Sequence, residues 1–113
     1  MKNQIDTLLQ KLDAGQAKFA DVLALIEQNY QHQPTAFQNG EQHNTVEQNQ
    51  GSAKVLSFAK LHHLNQKDTL KLFAEHYQSV LATPEQTDHQ NIRQFMQHGW
   101  AGVNFDGFAL TKK

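Results

Sequence analysis

Apolar residues recur at helical spacing along most of this chain. Ile5, Leu8, Leu9 and Leu12 fall at i, i+3, i+4 and i+7, which sets one stripe on a helix face. Asn3 is the expected cap of that helix and Gly15 its expected stop. A second stripe of Phe19, Val22, Leu23, Ile26 and Tyr30, widened by Leu25, predicts a helix that starts near Lys18. It should end at Gln33-Pro34, because the residue before proline avoids helical angles. The short link between the two predicts an antiparallel pair.

The period is lost over residues 34–52, PTAFQNGEQHNTVEQNQGS, a polar stretch punctuated by Pro34, Asn39-Gly40 and Gly51. Asn-Gly signals a tight turn, but its flanks alternate poorly, so the expectation is a loop with one short strand pair. Helical spacing resumes with Val55, Phe58, Ala59 and His62, where Ser52 is the expected N-cap and Leu64 the end. Asn65 should cap the next helix, with Asp68 in its first turn, and Leu70, Phe73, Tyr77, Val80 and Leu81 give that helix an unbroken buried stripe up to Thr83-Pro84. Asp88 is the expected cap of a fifth helix that turns Ile92, Phe95 and Met96 inward, with Gly99 as its C-terminal glycine.

Beyond Gly99 the period changes to two. Val103 and Phe105, then Asp106-Gly107, then Phe108 and Leu110 predict a hairpin around a two-residue turn. An isolated hairpin is marginal, so this one must pack on the helices or pair with the segment near Phe37. The pattern therefore gives a mainly α (α+β) fold. Residues 1–113 form a single compact domain of about five helices with a small C-terminal β element. No internal repeat or linker interrupts it.

Composition adds to this picture. Leu, Ile, Val and Phe supply 27 of 113 residues, enough for a modest core, and the net charge of −1 gives no self-repulsion to keep the chain open. Gln and Asn together supply 24 residues, so the chain is polar without being charged. Seven His stand against one Arg, and protonating all of them would carry the net charge from −1 to +6. With no Cys there is no disulfide, thiolate metal site or Cys nucleophile. The opening MKNQID lacks an apolar core, and no apolar run nears the ~20 residues of a membrane span, so neither a cleaved signal nor membrane insertion is expected. Nine scattered Lys give no basic stripe for nucleic acid.

Candidate chemistry is sparse. His62, His63, His76, Asp88, His89 and His98 supply metal-ligating groups, but no pair of His sits at i, i+4 on one helix, so no metal and no cofactor is expected. Ser52 lacks the GxSxG context of a nucleophile elbow and reads as a cap, so no catalytic residue is assigned. Gly51-Ser52 at a helix start, with Lys54 close by, offers free backbone N–H groups and a positive dipole end to a phosphate or carboxylate; the alternative is plain capping. Arg93, the sole guanidinium, suits either a carboxylate clamp or an internal pair. Trp100 suits either an interface anchor or the lid of the core.

Several motifs combine into a resemblance. They are PTAFQNG at 34–40, Asn44, Asn49 and Gly51-Ser52 within NTVEQNQGSAK, FAKLHHL at 58–64, DTLKLFAEHY at 68–77, VLATPEQTDHQNIRQF at 80–95 and HGWAGVNFDG at 98–107. Over residues 18–110 the chain resembles the HopJ type III effector family of small single-domain proteins. The sequence departs from the family pattern at Ala53, where Cys is expected, at Glu47 and Ala74, where Gly is expected, and at Gln78, where Arg is expected. A mechanism that relied on that thiol is closed to this chain.

The resemblance implies a protein delivered from bacteria into host cells by a type III secretion system, with a host protein and the secretion apparatus or its chaperone as partners and no established chemistry. The alternative is a non-exported cytoplasmic ligand-binding module or small enzyme that shares the fold. The candidate binding residues are Asn39, Asn49, Ser52, Lys54, His89, Asn91, Arg93 and Trp100, drawn from the 36–54 loop and the 88–102 segment. If Asn49, His89, Asn91 and Arg93 converge on an open cleft they form a site. If internal hydrogen bonds consume their polar atoms, the motif is scaffolding.

Overall fold

A computed structural model describes all 113 residues. Helix α1 (Lys2–Asp13) buries Ile5 and Leu8, and α2 (Phe19–Asn29) buries Val22 and Ile26. Asn3 does not cap α1; it lies inside the first turn, and Met1 occupies the cap position. Strand β1 (Tyr30–His32) follows α2 directly. Tyr30 thus leaves the helical stripe predicted for it and pairs with Lys112 in strand β5 (Leu110–Lys112).

Strands β2 (Phe37–Asn39) and β3 (Gln42–Asn44) form the short pair expected in the polar stretch, joined by the two-residue loop Gly40-Glu41. Helix α3 (Gln50–Leu61) is the most buried helix of the fold, with Ala53, Val55, Leu56, Phe58 and Ala59 fully enclosed. The predicted helix between Asn65 and Ala82 is broken into α4 (Gln66–Lys71) and α5 (Glu75–Ala82). Asn65 caps α4 as expected, accepting from the Asp68 N–H at 2.7 Å. The break centres on Ala74, whose φ of 50° and ψ of −123° suit glycine, the residue the family resemblance leads one to expect there. An alanine held in that region costs ~1–3 kcal/mol of backbone strain. The break also turns the stripe: Val80 stays buried while Leu81 is 48% exposed.

Helix α6 (Gln90–His98) ends at Gly99, and a 3-10 turn (Gly99–Gly102) leads into strand β4 (Val103–Phe105). Met96, expected inside, is left partly exposed. The tail does not form the predicted hairpin with itself. β4 adds to β2 in a three-stranded antiparallel sheet of order β3-β2-β4, with Phe37 opposite Phe105, while β5 crosses to β1. The partner near Phe37 wins because Phe37 and Phe105 stack at 5.0 Å between ring centroids and cover the core.

The amide-rich composition now has a physical role: amide side chains sew the polar lobe to the helices. Gln94 accepts from the Glu41 N–H at 2.8 Å and so fastens the β2–β3 loop to α6. Gln50 accepts from His32 and the Thr35 N–H and donates to the carbonyls of Thr35, Thr45 and Gln48. Gln66 donates to the Phe95 and Met96 carbonyls at the end of α6. Gly40 and Gly102 meet backbone to backbone, linked by a 2.9 Å hydrogen bond. A Cβ on Gly40, which stands at a positive φ of 59°, would run into Gln94 and His98, so a larger residue would have to push those side chains aside. No helix is long and apolar enough to cross a membrane.

Candidate functional site

The helix starts are built differently from one another. The α2 start is closed by side chains: the Phe19 N–H donates to the Glu75 carboxylate at 2.7 Å and the Lys18 N–H to Asp21 at 2.8 Å. Burial disfavours the Glu75 charge. Hydrogen bonds from the Phe19 N–H and its own backbone, with His76 and Lys18 nearby, outweigh that and hold the carboxyl below its usual range.

Helices α3 and α6 have no side-chain cap. The cap positions are Asn49 and His89 rather than Ser52 and Asp88, and both stand in the left-handed region, at φ 53° and 52°. Ser52 moves into the first turn of α3, and Asp88 bonds Arg93 at 2.7 Å through one carboxylate oxygen while the other lies 3.9 Å from His89 Nε2. As at any helix start, first-turn N–H groups lack an intrahelical partner, and at these two no cap side chain takes one up.

Both starts open into one cleft of about 300 Å³, lined by Phe19, Asn49, Gly51, Ser52, Phe73, His76, His89, Gln90, Asn91 and Ile92. The His76 and His89 rings lie 5.1 Å apart between centroids, and Phe19 sits edge-on to His76 at 4.9 Å. Two positive helix ends and two imidazoles therefore surround an opening with an aromatic wall.

Four of the eight candidate residues line this cleft, namely Asn49, Ser52, His89 and Asn91. Their chemistry divides. Asn91 is buried, and its amide exchanges hydrogen bonds with Asn44: Nδ2 donates to Asn44 Oδ1 at 2.9 Å, and Asn44 Nδ2 donates back to Oδ1 at 3.1 Å. Asn49 donates to the same Asn44 oxygen at 2.7 Å. Asn39, fully buried on β2, donates to the Asn91 carbonyl at 2.8 Å and to its Oδ1 at 3.1 Å. Facing two acceptors, Asn39 must present its NH₂ group, and its Oδ1 is left as a buried oxygen without a hydrogen bond. These amides form a wall behind the cleft. The uncapped N–H groups, the Ser52 hydroxyl and the two imidazoles are what the opening offers to a ligand.

The other candidates sit elsewhere. Lys54 reaches α2 and pairs with Glu27 at 3.1 Å. Arg93 is consumed within the chain, bonded to Asp88, to the carbonyls of Asp88, Thr83 and Pro84, and to the Thr83 hydroxyl. That guanidinium holds the exposed Asp88 carboxyl below its usual range. Trp100 packs edge-on to Phe95 at 5.0 Å and donates to the Leu64 carbonyl at 2.9 Å.

Sequence reasoning did not single out Asn44 as a site residue, nor His76 as a lining one. Both lie inside the motifs that carry the family resemblance, and that is the signal by which they were accessible. No three His, Asp or Glu side chains gather closely enough to hold a metal ion.

Comparison with known proteins places this geometry. A crystal structure of the protein of unknown function VPA0580 is 40% identical, with a TM-score of 0.88, and the match covers 96% of this chain and 92% of that one. No curated protein matches. The family model described as HopJ type III effector protein matches residues 5–110, so the chain belongs to the HopJ type III effector family.

Proposed function

We propose that this HopJ-family protein acts by non-covalent recognition, and that the cleft between α3 and α6 receives an anionic group, a phosphate or carboxylate, presented by its target. The observation that carries this reading is the convergence of two uncapped helix starts with His76 and His89 on one opening of about 300 Å³. Open N–H groups at a positive helix end favour anions, and two such ends in one cleft reinforce each other. Ser52 and the imidazoles lack the base-and-orienter arrangement of a nucleophilic triad, so binding is a better account than hydrolysis. In the effector setting of the family, the anion belongs to a host component met after type III delivery from the bacterial cytoplasm.

The test is a titration of the amide NMR spectrum with inorganic phosphate at fixed ionic strength. Shifts centred on Gly51, Ser52, Gln90 and Asn91, weakened in a His76→Gln/His89→Gln variant, are expected. An unchanged spectrum at tens of millimolar phosphate refutes the reading.

A second reading is a non-exported bacterial module that uses the same cleft on a cytoplasmic ligand. One observation bears on it: Ile5 and Leu8 are core residues, so residues 2–13 are built into the fold. Secretion assayed in strains with and without a working type III apparatus separates the two.

A further inference from the structure

A larger groove lies at the other end of α3, roughly 15 Å along the helix from the anion cleft at 1.5 Å per residue. Its volume is about 550 Å³, and it shares no residue with that cleft. Ser57, Lys60 and Leu61 of α3, with His63 just beyond, form one wall. Residues 105–110, the turn between β4 and β5, form the other. Phe108 stands on the lip, 83% exposed, and Leu61 is 48% exposed. Leaving a Phe ring in water forgoes ~1.5–3 kcal/mol of burial, and such a ring beside an apolar groove marks a contact surface.

The charges decide what fits. Lys60 lies on the α3 wall and Asp106 on the turn wall; both are exposed, and neither joins an ion pair within the chain. A partner of one sign satisfies one wall and opposes the other. A copy of the same face, turned through a two-fold axis, meets each wall with the opposite sign.

We propose that this face binds a second copy of the chain. The ring of Phe108 from each copy seats in the groove of the other against Leu61, and Asp106 of each faces Lys60 of the other. The net charge of −1 sets up no long-range repulsion between the copies. The contact is small, so the dimer is weak and forms with rising concentration.

Sedimentation equilibrium of the full chain, from micromolar to millimolar in low salt, tests this. The expected mass climbs from 12.9 kDa toward twice that value. Phe108→Ser weakens association by about tenfold or more. Lys60→Glu and Asp106→Lys each weaken it, and the double variant restores it. All three positions are exposed, so an unchanged melting temperature certifies the fold of each variant. A mass of 12.9 kDa at every concentration overturns the proposal. So does a Phe108→Ser chain that associates like the wild type, or a double variant no better than the single ones. His76→Gln/His89→Gln leaves the dimer intact, because the groove is separate from the anion cleft.

Discussion

Asn91→Ala tests the wall behind the cleft. The substitution removes three buried hydrogen bonds, from Asn39 Nδ2 at 3.1 Å, from Asn44 Nδ2 at 3.1 Å and to Asn44 Oδ1 at 2.9 Å. At ~1 kcal/mol net for each, the loss is about 3 kcal/mol. It is not twice that, because the partners keep other contacts: Asn39 still donates to the residue 91 carbonyl, and Asn44 Oδ1 still accepts from Asn49. Against a total stability of ~5–15 kcal/mol this is a large fraction, and the melting temperature should fall by roughly 10–20 °C. Urea unfolding followed by circular dichroism measures it.

An Ala variant within ~1 kcal/mol of wild type would refute the network as a structural unit.

Other outcomes follow from the same contacts. Phe95→Ala and Phe73→Ala remove rings that are 0% and 2% exposed, and each should lower stability by ~3–5 kcal/mol in chemical denaturation. Burial lowers the pKa of His32 and His62 below 6.5, so the unfolded chain binds more protons; stability should be lost as pH falls below 6.5, and His62→Gln, which removes the ring near Tyr30, should flatten that loss in urea midpoints taken from pH 7.5 to 5. Arg93→Lys cannot reproduce the fork that joins Thr83, Pro84 and Asp88; it should cost ~1–2 kcal/mol and speed protease cleavage within residues 83–88.

Most helices were legible because their stripes are local: Ile5, Leu8, Val22 and Ile26 need only helical spacing to find the core. What escaped depends on distant partners or on backbone angles. Tyr30 becomes a strand residue because Lys112 lies beside it, and no window around Tyr30 contains that fact. The alternation of Val103 and Phe105 correctly announced a strand, while the adjacent Asp106-Gly107 misdirected its pairing. The break at Ala74 carries no Gly or Pro to signal it; only the departure from the family pattern pointed there. At the candidate site, Asp88 is a better capping residue by chemistry than His89, while Ser52 and Asn49 cap equally well. The left-handed turns put the cap a few residues earlier on α3 and one later on α6, and turned capping positions into cleft lining.

The crossing of the tail has a consequence for how the molecule is made. Residues 30–32 and 37–39 find strand partners at 110–112 and 103–105, so both sheets join stretches separated by most of the chain. During synthesis the helical segments can associate as they emerge, but the three-stranded sheet cannot be completed until residue 105, nor the β1–β5 pair until residue 112, has been added. Until then the polar lobe carries unmatched strand edges, and this is the interval in which a chaperone would hold the protein most easily.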